Sequence, residues 1–321
     1  MLRCARTVMA WRHSSTGGDV DFIDFDSEGR KAGKLYGGNA GRKLAYVAHD
    51  RLWMVKFPQR TRDMAGKALP PYTSSPLSEY LGSRIYAALG LPVHETVLGR
   101  VGPKLVVACG DFSAAGNLVE FSLVKNSVAE EAIGGSYGSS ARGERLSDVL
   151  TVIAQAEAFA GMREQVERRF WDMFVVDALI LNGDRNNGNW GLLVQPYGIA
   201  GLAPVYDNGN AFFNKRADGT IESRLADGAV RQDLDAAVSF FLDDADAHIH
   251  PFELMARHEY PGLDAALERF AERFELERVL QVVRDVPGEV AGIEVISPAR
   301  KQLYTRLLTL AAQERILPCL R

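Results

Sequence analysis

The chain has 321 residues, 47% of them hydrophobic, and sets 37 basic against 41 acidic side chains for a formal net charge of -4. That length can bury a large core and accommodates two lobes, while the near balance of charge, with no run of one sign, argues against direct nucleic-acid binding or a polybasic membrane patch. Cys4, Cys109 and Cys319 have no metal-ligand or redox spacing, which fits a reducing compartment, and no apolar stretch approaches the roughly 20 residues that span a bilayer.

The first residues, MLRCARTVMAWRHSSTGG, lack acids and carry an apolar run too short for a signal-peptide core. Residues 1–19 are therefore expected to form a disordered tail or to follow a start placed too early. From Val20 to Phe57 apolar and polar residues alternate between glycine-rich turns, which predicts a small antiparallel sheet. Gly37, Gly38 and Gly41 share one turn, where missing side chains would let backbone N–H groups approach a phosphate. A plain hairpin has the same look. Gly41-Arg42-Lys43-Leu44 is not a Walker A ending, since Lys-Ser/Thr is missing and no helix signal follows. In the next strand Lys56 falls on the face of Leu52 and Met54, where it needs a partner unless its stem carries the head to water.

SSPLSEYLGSRIYAALGLP predicts a helix with Ser75 as N-cap, Pro76 at the first position, Gly90 just past the end and Pro92 as the stop. Leu77, Leu81, Ile85 and Ala88 make its buried stripe. Glu79 lies on the flank of that stripe, meeting Lys56 if the helix packs on the sheet and water otherwise. Strand patterns at Thr96 to Leu98 and Lys104 to Cys109 complete a small lobe over residues 20–110, with Ala108 to Asp111 as a connector.

Residues 111–321 shift toward helices, in LVEFSLVKNSV, LSDVLTVIAQAEAFAGM, the run into Asn182, Leu234 to Leu242, Leu263 to Phe274, Leu276 to Val283 and Pro298 to Leu317. EEAIGGSYGSSARGER reads as a surface loop. His248 and His250 lack the company of a metal site and read as surface residues. The most informative stretch is WDMFVVDALILNGDRNNGNWGLLVQPYGIAGLAPVYDNGNAFF. Phe170, Phe174, Ala178 and Leu181 repeat at helical spacing up to the turn-forming Asn182-Gly183, so Asp184 begins a loop. Trp190, Leu192 and Val194 alternate as a strand, Pro196-Tyr197-Gly198 turns, and Ile199 to Val205 returns. The open end of such a hairpin brings Asn189 beside Val205 and Tyr206, and Asp207 near Asp184.

A small sheet with a glycine turn and a strand lysine, then a helix glutamate, a connector and a helical lobe with an Asp loop, has the order of a bilobed, α+β protein-kinase-like fold. In that arrangement a lysine holds nucleotide phosphates, a glutamate orients it, a loop aspartate accepts the proton of the attacking hydroxyl, and oxygen ligands hold magnesium. Asp184, Asn189 and Asp207 have that spacing.

At these residues the chain resembles the HipA-like serine/threonine kinases, and more closely their compact, cell-translocating CtkA type. YGGNAGRKLAYVAHDRLWMVKFP, SEYLGSRIYAALGLPV, KLVVACGDF, FWDMFVVDALILNGDRNNGNWGLL and PVYDNGNAF stand in family order with family-like spacing over nearly the whole chain after Val20. The resemblance implies a kinase that uses ATP and Mg2+ on protein serine or threonine. It implies Asp184 as the catalytic base and Asn189 and Asp207 as magnesium ligands. ATP would be bound by Lys56 and Glu79, by the turn of Gly37, Gly38, Gly41 and Lys43, and by the connector Ala108, Cys109, Gly110 and Asp111. An antitoxin partner, a role as toxin or effector, and a location in the bacterial cytoplasm or secreted from it are further implications.

Three departures stand out. Asn186 occupies the place where the family usually has His and ordinary protein kinases a phosphate-contacting lysine, so Arg185 and Asn186 are the candidate phosphate contacts there. Between Ser27 and Thr61 there is no Ser or Thr, so the phosphoserine switch of some HipA relatives cannot be carried over. There is no room before Val20 for the extra subdomain of longer HipA proteins. A small-molecule or lipid phosphotransferase of kinase-like fold and a nucleotide-binding pseudokinase are the alternatives.

Overall fold

The structure, a computed structural model, describes residues 21–37, 41–61, 69–128 and 144–321. The expected tail, Gly38 and nearly all of the expected surface loop lie outside these residues. Alternation in the first third of the chain builds β1 (Phe22–Asp24), β2 (Arg30–Ala32), β3 (Lys43–Ala48), β4 (Arg51–Lys56), β5 (Thr96–Val101) and β6 (Lys104–Gly110). They form one sheet in the order β1-β5-β6-β4-β3-β2. The sheet is not antiparallel throughout: β1 runs parallel to β5, because three strands and a helix intervene and supply the long crossover that parallel pairing requires. Gly99 lets β1 come this close, since a Cβ there would overlap the carbonyl oxygen of Ile23.

The two sheet faces divide cleanly. Trp53, Val55, Val97, Val106 and Ala108 pack with Phe25 and Tyr46 on one side. Leu98, Val107 and Cys109 face the other side and join the main core with helix α1 (Ser75–Ala88). Lys56 shares the second face with Met54 by alternation. The N-cap of α1 is Ser74, not Ser75, and its side chain makes no capping bond. A tertiary contact fixes this end of the helix instead, as the Ser74 N–H and Oγ both donate to the Asn214 carbonyl, at 2.7 and 3.2 Å. Gly90, at φ +71°, ends the helix as expected. Glu79, Ser78 and Ser83 are buried alongside Leu77, Leu81 and Ile85 while Ala88 is half-buried, because α1 is covered on several sides rather than on one stripe.

The remainder is mainly helical: α2 (Phe121–Lys125), α3 (Leu146–Gln155), α4 (Arg163–Ile180), α5 (Asp218–Ala226), α6 (Val230–Asp235), α7 (Pro251–Arg257), α8 (Pro261–Arg273), α9 (Leu276–Arg284) and α10 (Pro298–Leu310). The fold class is thus α+β. Phe170, Trp171, Val175, Leu179 and Ile180 of α4 are all buried, so this helix runs through the core. Expected helix LVEFSLVKNSV begins instead with β7 (Asn117–Glu120), which pairs with β8 (Gly191–Gln195), itself in a hairpin with β9 (Gly198–Leu202). Its β-branched and leucine residues gain a partner strand that local pattern cannot reveal. A two-stranded β10 (Glu289–Val290) and β11 (Ile293–Glu294) precedes α10. Leu234 to Leu242 is helical only to Asp235, and α10 passes into a π-helical turn at Ala311–Ile316. No helix among the described residues is long and apolar enough to cross a membrane.

Gly99→Ala is expected to force β1 away from β5 and lower stability by about 1–3 kcal/mol, the usual cost of overpacking, measured by chemical denaturation.

Candidate active site

The catalytic-loop geometry starts at the end of α4. Leu181 adopts the left-handed conformation, φ 55°, so the turn expected at Asn182-Gly183 begins one residue early. Asn182 then folds back on α4, its N–H donating to the Asp177 carbonyl at 2.8 Å and its Nδ2 to Asp177 Oδ1 at 3.0 Å. Asp184 follows as the first residue free of α4. Its carbonyl accepts from Asn189 Nδ2 at 2.7 Å and from the Asn186 N–H at 2.8 Å, and Asn186 Nδ2 lies 3.4 Å from its carboxylate. Burial raises the Asp184 pKa above the ordinary aspartate value, against a lowering contribution from Asn186 and with a further rise from the charge of Asp207.

Arg185 overturns its expected role. It is 3% exposed, and its guanidinium turns away from the loop face into the core, with Nε and Nη2 donating to Asp177 at 2.8 and 3.0 Å and Nη1 to the Asn189 carbonyl at 3.1 Å. It also binds the Tyr206 carbonyl and Asn208 Oδ1. Every arm is committed, so Arg185 is not a phosphate contact. Burial alone would lower its pKa, but Asp177 outweighs that and keeps it charged. Tyr86 of α1 completes the cluster by donating to Asp177 Oδ1 at 2.9 Å. The β8–β9 hairpin forms, but its return strand ends at Leu202 rather than Val205 and the pairing shifts register between Leu193 and Val194; beyond it the Ala203 N–H reaches the Gly191 carbonyl and the Tyr206 hydroxyl the Gly188 carbonyl, both at 2.9 Å. Arg185 thereby pins Asn189 and Tyr206 together and delivers Asp207 to the loop.

Asp207 has a left-handed backbone, φ 60°, an uncommon setting for a non-glycine residue. Its Oδ1 accepts from Lys56 Nζ at 2.9 Å, and Lys56 Nζ also donates to Glu79 Oε2 at 2.7 Å. The helix glutamate left open between lysine and water therefore meets the lysine, at 1% exposure against 13% for Lys56 and 28% for Asp207. Burial would pull the lysine down and push the glutamate up. The carboxylates of Asp207 and Glu79 reverse the first and Lys56 with His94 the second, so both stay ionised.

Three residues around this ion pair, Ser83, His94 and Asn208, are not singled out as site residues by the sequence. His94 Nε2 lies 2.9 Å from Glu79 Oε1 and 3.1 Å from Ser83 Oγ. The Asn208 N–H donates to the same Glu79 oxygen at 3.0 Å, and Asn208 Nδ2 donates to Ser83 Oγ at 3.0 Å. Glu79, His94 and Cys109 could be read as a metal group, their ligand atoms lying within 4.8 Å of one another. The carboxylate is already saturated by Lys56, His94 and Asn208, and burial pushes the Cys109 thiol up and away from a thiolate, so this is a polar core beneath Lys56. Its only sequence signal is a histidine placed between a helix and a strand.

The glycine turn is partly described. Gly41 has φ +69°, and Lys43, directly opposite Lys56 in the β3–β4 register, donates to the Gly37 carbonyl at 3.1 Å. At the connector, Ala108, Cys109 and Gly110 belong to β6, with β4 and β5 paired on either side. The Gly110 N–H is spent on the Glu95 carbonyl and the Asp111 N–H on the Leu52 carbonyl. Neither amide can receive a base, which corrects the expectation for those two donors. The Asp111 carboxylate instead takes Lys34 Nζ and the Tyr36 hydroxyl, each at 2.6 Å, fastening the chain ahead of the glycine turn to the connector.

The oxygen donors suit a hard cation. Asn189 spends its amide nitrogen on Asp184, leaving Oδ1 as the available end, and Asp207 spends Oδ1 on Lys56, leaving Oδ2.

The chain is similar to the serine/threonine-protein kinase CtkA of Helicobacter pylori strain J99, at 31% identity over 264 residues that cover 79% of this chain and 76% of the relative. Among solved structures, a proinflammatory kinase CtkA of Helicobacter pylori matches with a TM-score of 0.79 and 27% identity, covering 94% of this chain and 97% of that one. A HipA in complex with HipB and operator DNA from Shewanella oneidensis MR-1 matches more weakly, with a TM-score of 0.47 and 13% identity over 94% of this chain and 67% of that one. No family model matches.

Asp177→Ala strands the buried Arg185 charge and is expected to cost about 3–5 kcal/mol of stability by chemical denaturation. The Glu79 pKa is lower folded than unfolded, so its stabilising contribution is full above the unfolded value near 4.5 and is lost as the pH falls toward the folded one. Glu79→Gln is expected to flatten the decline of stability on acidification below pH 4.5, as followed by denaturation at a series of pH values.

Proposed function

The chain belongs to the CtkA-type serine/threonine-protein kinases, and we propose that it transfers the γ-phosphoryl group of ATP to a protein hydroxyl where Asp184, Asn189, Asp207 and Lys56 converge. The observation that carries this reading is the Lys56 ammonium held between Glu79 and Asp207. A permanently charged lysine, anchored from behind and lying against a metal-capable carboxylate, suits a phosphate chain that must be gripped by both.

Asp184 is the proton acceptor for the attacking serine or threonine. Burial strengthens it as a base, and Asn186 and Asn189 steady the loop that carries it. Asn189 Oδ1 and Asp207 Oδ2 would hold magnesium. Held there, the ion would supply positive charge against the phosphates. Glu79 orients Lys56 toward the phosphates, and the turn containing Gly37 and Gly41 would cover them. For the base, the Phe112 amide is the next donor along the connector after those of Gly110 and Asp111 are spent. Asn186 supplies no positive charge and Arg185 is buried; besides Lys56, Lys215 is a cation whose charge reaches Asp184.

Purified protein with labelled ATP and Mg2+ is expected to phosphorylate protein, and Asp184→Ala to reduce the rate by about 10²–10⁴-fold, the usual worth of a general base. Wild-type labelling no greater than that of Asp184→Ala would end this reading. The wild-type rate should fall on acidification through an Asp184 pKa raised above the ordinary aspartate value. Phosphopeptides from cells expressing wild type against Asp207→Ala should identify the acceptor.

A further inference from the structure

We propose that His94 is a positioning residue for phosphoryl transfer, acting through Glu79 to aim Lys56; the inference rests on Lys56 and Glu79 holding the roles given above. The imidazole sits between two residues one turn apart on α1, with Nε2 at 2.9 Å from Glu79 Oε1 and 3.1 Å from Ser83 Oγ. Asn208 closes the circuit from the opposite side, its N–H on Glu79 Oε1 and its Nδ2 on Ser83 Oγ. All four residues are buried. A carboxylate can only accept, so it selects the tautomer that carries the proton on Nε2.

Two donors on Oε1 fix the plane of the carboxylate and leave Oε2 facing Lys56. Without the ring, Oε1 keeps only the Asn208 N–H, and rotation about the terminal bond of Glu79 is no longer opposed from the β5 side. The backbone of His94 is held as firmly as its ring. Its N–H donates to the Val205 carbonyl at 2.9 Å, and Val205 in turn donates to the Pro92 carbonyl at 2.9 Å. Val205 stands two residues before Asp207, so one residue registers the helix glutamate against the segment that delivers the metal-capable aspartate.

Packing alone does not explain a histidine here. His94 Nδ1 is buried with no hydrogen-bond partner, a cost that an apolar side chain of similar volume would avoid. The site keeps the ring for its Nε2–H.

The test uses the intact kinase and a double-mutant cycle with Glu79. His94→Leu is expected to lower kcat by about tenfold to a hundredfold through misplacement of Lys56, with the KM for ATP nearly unchanged. His94→Gln, whose amide can donate from nearly the same place, is expected to restore most of the rate. In a Glu79→Ala background His94→Leu should cost nothing further. An equal loss in both backgrounds, or His94→Gln no better than His94→Leu, overturns the proposal. If Glu79→Ala itself retains full activity, the reading of Lys56 and Glu79 fails instead. Should the leucine variant not fold, ring 15N spectra of the wild type still decide: a proton on Nε2 and a signal that moves in Glu79→Gln are expected, and a proton on Nδ1 overturns the assignment.

Discussion

The Lys56 ammonium is the point on which the molecule turns. It is the terminus of a sheet strand, yet its two carboxylate partners come from elsewhere, Glu79 from α1 and Asp207 from the end of the hairpin in the helical region. A buried pair of this kind is poor evidence for stability, because desolvation consumes most of the attraction. Its worth lies in geometry. Three separately built parts of the chain must agree on one position before the lysine is satisfied, so the same contact that joins strand, helix and hairpin also assembles the site.

Arg185 does for the loop of Asp184 what Lys56 does for strand, helix and hairpin. A guanidinium has five donors in a rigid fork, and here they go to Asp177 on α4, to the Asn189 and Tyr206 carbonyls and to Asn208. The loop is therefore organised from beneath by a cation that never faces the reaction. Burial raises the pKa of Asp184 and the charge of Asp207 adds to it, while Asp207 itself is paired with Lys56 and Arg185 lies beneath the backbone. The charge that ordinary kinases supply at the next-but-one position is absent, and the neutral Asn186 spends itself on the loop instead.

Much of this was legible in the sequence because it is local. The spacing from Asp184 to Asn189, the Pro-Gly turn of the hairpin and the alternation that puts Lys56 on the Met54 face are set by neighbours a few residues away, and each is found in place. What was not legible depends on partners far along the chain. Glu79 looks like any flank residue until α1 is covered by sheet and helices together. Ser75 stands directly before Pro76 and so reads as the cap, but the cap position falls to Ser74, which is bonded to Asn214 well over a hundred residues later. Leu118 and Val119 read as part of a helix until β8 arrives to pair with them. Arg185 misled for a different reason: residue type and motif position identify a cation at the loop but not the direction in which it points.

Gly82 carries a mechanical consequence. A Cβ there would lie 2.8 Å from Asn208 Cβ, so α1 and the hairpin end touch at backbone range. Beside this contact run the bonds from Tyr86 to Asp177, from Asn208 to Glu79 and Ser83, and from Ser74 to Asn214. Arg300 of α10 adds another to Ser74. By chain order α1 belongs with the sheet, but by its fastenings it is a beam of the larger body. Its contacts with the sheet itself are mostly apolar. The Lys56 to Glu79 bond therefore ties β4 to a helix that is fastened to the larger body, rather than bracing the sheet and its own helix from within.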